Sequence, residues 1–102
     1  MKISRLKISS NFFLAPMSGI SDYPYREVVK EFKPGLVFSE MIASRALIEK
    51  SKKTLKMIKK DSNEISAIQI AGCDPDIMAE AAIICEGNGS DLVDINMGCP
   101  VK

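Results

Sequence analysis

The stretch ISAIQIAGCDPDIMAEAAIICEGNGSDLVDI, residues 65–95, decides the fold class of this chain. Its apolar run at 65–70 has the length and composition of a buried strand. Asp74 as an N-cap and Pro75 at the first helical position predict a helix, which ends at Gly-Asn-Gly over 87–89. A second apolar run from Leu92 to Ile95 predicts the next strand. Strand, helix and strand in this order form a βαβ unit, so we predict parallel strands.

The predicted helix of this unit carries one apolar stripe. The stripe consists of residues at helical spacing, Met78, Ala81, Ala82 and Cys85. We expect this stripe to pack against the predicted strands.

The same alternation of elements precedes residue 65. Apolar runs at 12–15 and 36–38 predict two more strands. Between them, Asp22 and Pro24 predict the start of a helix, and Pro34-Gly35 ends it. Its apolar residues share one helical face, namely Tyr25, Val28, Val29 and Phe32. A long basic stretch from about residue 44 to residue 60 predicts another single helix.

Four strands alternating with three helices predict an α/β fold, either a barrel or an open doubly wound sheet. The turn after the first strand reads Ala-Pro-Met-Ser-Gly at 15–19 and lacks the G-x-G-x-x-G pattern of dinucleotide-binding sheets. A complete (β/α)8 barrel needs roughly 250 residues, whereas this chain has 102. We therefore predict the N-terminal half of a (β/α)8 TIM barrel, truncated after strand four, with residues 1–102 as one partial domain.

Composition and charge exclude several classes of protein. Hydrophobic residues make up 46% and charged residues 26% of the chain, which argues against disorder. The net charge of +1 predicts no global attraction to polyanions. The three cysteines include no C-x-x-C pair and the chain has no histidine, so neither a metal site nor a disulfide framework is expected. No apolar run approaches the roughly 18 residues of a membrane span, and we predict a reduced, cytoplasmic protein.

Polar or glycine-containing segments follow all four predicted strands. They are Pro-Met-Ser-Gly at 16–19, Ser-Glu-Met at 39–41, Gln-Ile-Ala-Gly at 69–72 and Asn-Met-Gly-Cys-Pro at 96–100. The carboxyl ends of parallel strands converge on one face of a barrel or sheet, where α/β enzymes place their reactive groups. The sequence therefore predicts an active-site rim at these four segments.

These segments also carry a family resemblance that spans nearly the whole chain. LAPMSGISD at 14–22, FSEM at 38–41, IQIAG at 68–72 and DINMGCP at 94–100 resemble, in order and spacing, the N-terminal half of the tRNA-dihydrouridine synthases. One small departure is Ser21, where the family commonly has threonine. The resemblance implies reduction of a uridine C5–C6 double bond in tRNA by FMN hydride, with NADPH reducing the flavin.

The resemblance also implies roles for individual residues. The turn of Pro16, Met17 and Ser18 would lie along the flavin, with its backbone amides near the ring. Gln69 would hydrogen-bond the polar edge of the ring, and Asn96 would face the flavin and the substrate base. Cys99 would be the general acid, since a thiol is largely protonated at neutral pH and can deliver a proton to C5.

Structural interpretations compete with these roles. Cys73 and Cys85 are interpreted as small buried hydrophobic residues. Gln69 alternatively caps backbone groups at a strand end. Glu40 either positions the site or is the N-cap partner of the following helix.

The most basic stretch of the chain contains Lys50, Lys52, Lys53, Lys56, Lys59 and Lys60. Such a stretch could contact tRNA phosphates, and it could equally be a solvated face. Two other functions stay open at this point. One is a flavin oxidoreductase of the dihydroorotate or old-yellow type that acts on free dihydropyrimidines. The other is a non-catalytic half barrel that binds RNA without flavin.

Barrel enzymes bind a flavin phosphate through loops after their seventh and eighth strands, which have no counterpart in this sequence. The family's later lysine and histidine and its helical RNA-binding domain also have none. We therefore expect that a chain of these 102 residues alone does not reduce tRNA. We also expect that its exposed sheet edges promote self-association.

Overall fold

The computed structural model describes residues 1–59 and 64–99. In chain order its elements are β1 (Lys2–Ile3), β2 (Leu6–Lys7), β3 (Phe13–Leu14), α1 (Tyr23–Lys30), β4 (Leu36–Val37), β5 (Ile42–Ala43), α2 (Ser44–Ile48), α3 (Lys52–Met57), β6 (Ala67–Ala71), α4 (Pro75–Gly87) and β7 (Leu92–Ile95). The predicted strand at 92–95 is confirmed, and the three other predicted strands differ only at their ends. Lys60 and Pro100, which the sequence-based predictions include, lie outside the described residues.

The strands of the βα units are parallel and pair in chain order. β3 pairs with β4, and β6 pairs with both β5 and β7. A parallel bridge between Phe38 and Ala67 places β4 beside β6, so β4 and β5 are two segments of one strand. Consecutive strands are therefore neighbours, as in a (β/α)8 barrel, whereas a dinucleotide-binding sheet has its first strand in the middle. The α/β prediction is confirmed, and the strand order is consistent with a partial barrel.

The second strand contains a bulge. From the Phe38–Ala67 bridge to the Ile42–Ile70 pair, this strand advances by four residues while β6 advances by three. One extra residue therefore lies in the segment 39–41. A bulge changes the direction of side chains and interrupts the ladder of backbone hydrogen bonds. The polar side chains of this segment therefore do not follow the alternation of a regular strand.

The core lies between β5–β6 and the helices that follow them. Its buried residues are Ile42, Leu47, Ile58, Ile68, Ile70, Ala81 and Cys85. The predicted stripe of α4 is confirmed, because two of its members are in this cluster and Met78 and Ala82 pack against it. The Asp74 carboxylate caps α4 by accepting hydrogen bonds from two first-turn amides, at 2.9 and 3.2 Å. Burial of this apolar stripe stabilises the helix on the sheet.

The prediction of one long helix from about 44 to 60 is wrong. The structure has two short helices, α2 and α3, with a break between them. Lys50 adopts a left-handed conformation with φ of 52°, which ends the first helix. Ser51 then starts the second, because its hydroxyl oxygen accepts a hydrogen bond from the Thr54 amide at 3.2 Å. The break turns α3 and places the buried Ile58 in the core.

The apolar face predicted for the first helix is mostly exposed. Asp22 caps α1 as predicted, with its carboxylate accepting from the Tyr25 amide at 3.1 Å. However, Val28 is 59% and Phe32 is 73% exposed, and the buried residue of this helix is Arg26. The guanidinium of Arg26 donates a hydrogen bond to the Ser21 carbonyl oxygen at 2.8 Å, so a polar contact accompanies the burial of this helix face.

A short antiparallel hairpin, β1–β2, precedes the parallel strands and was not predicted. Its strands have two residues each, too few to show an alternating pattern. The chain after it packs closely on Gly35, where an added Cβ would lie 2.2 Å from the Ser10 carbonyl oxygen and 2.6 Å from Ile8. Gly35 therefore permits a close approach that any side chain would prevent.

Candidate active site

The turn after β3 is held by one buried serine. The Ser21 hydroxyl accepts a hydrogen bond from the Met17 amide at 2.8 Å and donates to the Met17 carbonyl oxygen at 3.1 Å. The same carbonyl accepts from the Ser21 amide at 2.9 Å. Ser21 is fully buried, so these bonds are shielded from water. Hydrogen bonds from a neighbouring residue of the same turn thus hold the segment that is predicted to line a flavin.

Glu40, in the bulge of the second strand, ties that turn to the rest of the sheet. Its carboxylate accepts a hydrogen bond from the Gly19 amide at 2.8 Å. The buried Arg26 guanidinium donates to the Ser21 carbonyl oxygen at 2.8 Å. Burial lowers the pKa of Arg26, and the negative charge of Glu40 opposes that shift. Glu40 therefore positions the turn, and its alternative as a helix cap is not supported, because α2 begins at Ser44 with Ala43 as its N-cap and has no side-chain cap hydrogen bond.

A series of side-chain hydrogen bonds runs from the middle of β6 and β7 to the loop after β7. Gln69 donates from Nε2 to the Asp94 carboxylate at 2.6 Å and accepts at Oε1 from Asn96 Nδ2 at 3.2 Å. Asn96 Oδ1 in turn accepts from the backbone amides of Gly98, at 3.0 Å, and Cys99, at 2.9 Å. The interpretation of Gln69 as a cap for backbone groups is therefore wrong, since its amide binds two side chains.

Ser39 connects the two halves of this rim. Its hydroxyl oxygen accepts from the Gln69 backbone amide at 3.1 Å and its hydroxyl donates to the Glu40 carbonyl oxygen at 2.9 Å. Ser39 is fully buried and lies where the bulge interrupts the backbone ladder, so its side chain replaces a missing main-chain acceptor. The structure thus joins the Gly19 turn to the Cys99 loop through one continuous set of hydrogen bonds.

The predicted site residues differ in their exposure. Gln69 is buried, Pro16, Met17 and Asn96 are half-buried, and Ser18 and Cys99 are exposed. Five of the six follow the carboxyl ends of β3 and β7, as predicted for the rim, whereas Gln69 lies in the middle of β6. Because Cys99 is exposed, a substrate can reach it from solvent.

The two other cysteines behave differently from each other. Cys85 is fully buried, as expected, and burial raises the pKa of its thiol to about 11. Cys73 is exposed, so its interpretation as a buried hydrophobic residue is wrong. It follows β6 in the loop before α4, outside the stripe that packs on the sheet.

Sequence reasoning gave no individual role to four residues of this network, although three of them lie in segments that it singled out: Ser21, Arg26, Ser39 and Asp94. Asp94 lies directly opposite Gln69 in the register of β6 and β7. Only the register reveals this pair, because the two residues are 25 positions apart in the chain. A carboxylate within an otherwise apolar predicted strand was the one signal that sequence offered for it.

The donors around this rim fit a flavin ring. Two amides of the first turn are used by the protein itself, the Met17 amide by Ser21 and the Gly19 amide by Glu40. The Ser18 amide has no hydrogen-bond partner within residues 1–59 and 64–99. Gln69 also retains one N–H and one oxygen lone pair beyond its two bonds. These are donors and acceptors of the kind that the carbonyl and imide groups of a flavin edge require.

The described ranges contain neither a candidate metal site nor a helix of the membrane-spanning kind. No group of three or more cysteine, aspartate or glutamate side chains there could hold a metal ion. In the same part of the chain, no helix has both the length and the apolar character needed to cross a membrane.

Comparison with known proteins identifies the family. Residues 13–102 match the sequence profile of the family described as "Dihydrouridine synthase (Dus)". The chain belongs to the dihydrouridine synthase family. The predicted resemblance is thereby confirmed, and it covers all four rim segments of the chain.

Curated members of the dihydrouridine synthase family align over the whole chain. A "Probable tRNA-dihydrouridine synthase" of Rickettsia conorii is 48% identical over 104 residues, which is 100% of this chain and 31% of that protein. A "tRNA-dihydrouridine synthase B" of Pasteurella multocida is 45% identical, with 100% of this chain and 31% of that protein covered. The corresponding protein of Vibrio cholerae is 41% identical, with 100% and 32% covered. The chain thus spans about a third of the length of these relatives.

Proposed function

We propose that the protein reduces uridine to 5,6-dihydrouridine in tRNA, with FMN as its cofactor and NADPH as the reductant. The names of the curated relatives support the reaction and the substrate class. The observation that carries the proposal is the hydrogen-bond chain from Gln69 through Asn96 to Cys99, because it joins three predicted site residues. It extends the family membership to specific chemistry on this chain.

Three groups of this chain are proposed to hold the flavin. The unpaired Ser18 amide and the remaining N–H and lone pair of Gln69 would bind the polar edge of the ring. Pro16 and Met17 would lie against its face, since both are half-buried beside that amide. When bound, reduced FMN supplies the hydride that adds to C6 of uridine.

Cys99 is proposed to supply the proton. As the C5–C6 π bond breaks, C6 gains a hydrogen with its electron pair and C5 takes the proton from the thiol, leaving a thiolate that solvent reprotonates. The thiol is exposed on the rim, and its backbone amide is held at 2.9 Å by Asn96. The second amide hydrogen of Asn96 remains available for the uracil base.

Contact with tRNA by the basic helices is a separate part of the proposal. Lys52, Lys53 and Lys56 are exposed in α3, where they could neutralise phosphates. The break after α2 separates them from Lys50, so the predicted continuous basic helix face is replaced by two shorter segments. Binding through them would weaken as salt concentration rises.

A defined reaction with purified components tests the proposal. The protein, at the length its host produces, is incubated with FMN, NADPH and tRNA from a strain that lacks the gene. Mass spectrometry then measures dihydrouridine in the tRNA. We expect product from the wild-type protein and from Cys73→Ala, which removes an exposed thiol elsewhere on the rim, and a severe loss with Cys99→Ala.

Two further measurements separate the alternatives. Equal or faster turnover of free dihydropyrimidines would favour an oxidoreductase of the dihydroorotate or old-yellow type. A colourless preparation that binds RNA in a salt-sensitive manner and forms no dihydrouridine would favour a non-catalytic RNA-binding protein.

A further inference from the structure

Asp94 begins one of the segments that carry the family resemblance, but neither that resemblance nor the proposed reaction gives it a role. It lies in the middle of β7, half-buried, directly opposite Gln69. Its carboxylate oxygen is 2.6 Å from Gln69 Nε2, the shortest bond of the chain that leads to Cys99. A carboxylate in a strand interior requires a partner, and here that partner is a proposed cofactor ligand.

Asp94 at one end and the donor-only amides of Gly98 and Cys99 at the other fix the direction of every hydrogen bond in this series. An ionised carboxylate has only acceptors, so Gln69 must turn its N–H₂ group towards it. Gln69 Oε1 then faces Asn96 and can only accept, at 3.2 Å, from Asn96 Nδ2. With its Nδ2 used in this way, Asn96 presents Oδ1 to the amides of Gly98 and Cys99. Gln69 alone could point either way, and the Asp94 carboxylate removes that choice and supports the orientation of Asn96 that the loop amides require.

We infer that Asp94 is a positioning residue, which sets the orientation of Gln69 and Asn96 and thereby holds the backbone of Cys99 in its reactive position. This inference rests on the proposed function only for the reactivity of Cys99. The orientation of Gln69 and Asn96 depends only on hydrogen bonds between residues of this protein. A reversed Asn96 would aim Nδ2 at two backbone N–H groups, so the loop at 97–99 would lose both hydrogen bonds.

Asp94→Asn tests the inference with little change in shape. The carboxamide introduced at position 94 can accept or donate, so Gln69 can turn over and present its N–H₂ group to Asn96, which competes with the orientation that the loop amides require. We expect amide hydrogen exchange at Gly98 and Cys99, measured by NMR, to speed up by about fivefold or more, as for loss of one hydrogen bond. Glu80→Gln removes the same charge from the exposed face of α4 and is expected to leave these rates unchanged.

A double variant distinguishes an effect on the direction of these hydrogen bonds from the simple loss of the contact between Asp94 and Gln69. In Asp94→Asn combined with Gln69→Glu, the carboxylate moves one place along the chain. It now accepts from the carboxamide at position 94 and from Asn96 Nδ2, so Asn96 Oδ1 again faces the loop. We expect exchange at Gly98 and Cys99 to return towards the wild-type rates. This comparison also decides the question if the single variant does not fold.

Activity provides the second readout. In the protein at its natural length, Asp94→Asn is expected to lower kcat for dihydrouridine formation by on the order of 10- to 100-fold, with little change in KM for tRNA. Unchanged exchange rates in Asp94→Asn, no recovery in the double variant, or an unchanged kcat alongside faster exchange would each overturn the inference. If the wild-type protein forms no dihydrouridine, the proposed function fails, and the exchange rates still decide the role of Asp94.

Discussion

Removal of the Ser39 hydroxyl should destabilise the fold at the centre of the rim. Ser39 is fully buried, and its hydroxyl satisfies both the Gln69 amide, at 3.1 Å, and the Glu40 carbonyl oxygen, at 2.9 Å. In Ser39→Ala the amide is left in a strand whose residues 67–70 are all buried, so water does not readily replace the lost acceptor.

The magnitude follows from these two lost partners. An unsatisfied buried donor costs about 1–3 kcal/mol, and a hydrogen bond lost by a carbonyl adds about 0.5–1.5 kcal/mol. We therefore expect Ser39→Ala to lower the free energy of unfolding by about 2–4 kcal/mol, a large share of the roughly 5–15 kcal/mol available to a domain.

Urea unfolding followed by circular dichroism measures this difference. Ser9→Ala is the matched control, because Ser9 is exposed and its hydroxyl has no hydrogen-bond partner among the described residues. A surface change of this kind should alter stability by less than about 0.5 kcal/mol. If Ser39→Ala were as stable as Ser9→Ala, the bulge would not need its side-chain acceptor, and our account of how Gln69 is held would be refuted.

Three other perturbations follow from the same structure. Gly35→Ala should destabilise the protein by about 3 kcal/mol or more in urea unfolding, because its Cβ would lie 2.2 Å from a backbone oxygen. Gly87→Ala is the control. It should be neutral or slightly stabilising, because Gly87 is in a helix and has open space around the position of its Cβ. Burial raises the pKa of the Cys85 thiol from 9.0 to about 11, so the unfolded state loses its proton first. Stability should therefore be fully present below about pH 9 and fall by about 2–3 kcal/mol as pH rises to 11; Cys85→Ala should lack this component, and parallel pH profiles for the two proteins would contradict it. Glu40→Ala should weaken FMN binding by about tenfold, because the turn after β3 loses one charge-assisted hydrogen bond. A fluorescence titration measures this affinity, and an unchanged affinity would argue against a positioning role for Glu40.

Periodicity and capping chemistry predicted the parts of the fold that depend on local sequence. The helix from Pro75 to Gly87 was predicted with its cap and its buried stripe, because an N-cap, a proline and a Gly-Asn-Gly end are all local signals. The break at Lys50 was not predicted, because a lysine and not a glycine occupies the left-handed position. The break accompanies the packing of Ile58 in the core, which is a tertiary contact. The sequence itself shows only one continuous basic stretch there.

The candidate site shows the same division. Residues at strand ends were predicted because parallel strands place their carboxyl ends on one face. Ser39 and Asp94 were not assigned roles, because each acts through a partner in another strand. Their functions depend on a bulge and on a register, and neither can be read from one strand alone.

The central claim is that this protein forms dihydrouridine in tRNA through Cys99. The most direct measurement is the dihydrouridine content of tRNA, by mass spectrometry, in a host strain whose gene is deleted and then restored with either the wild-type or the Cys99→Ala sequence. The account predicts that deletion removes dihydrouridine from at least one position, that the wild-type gene restores it, and that Cys99→Ala does not, although its protein accumulates to the same level. Full restoration by Cys99→Ala, or unchanged tRNA after deletion, would contradict the account.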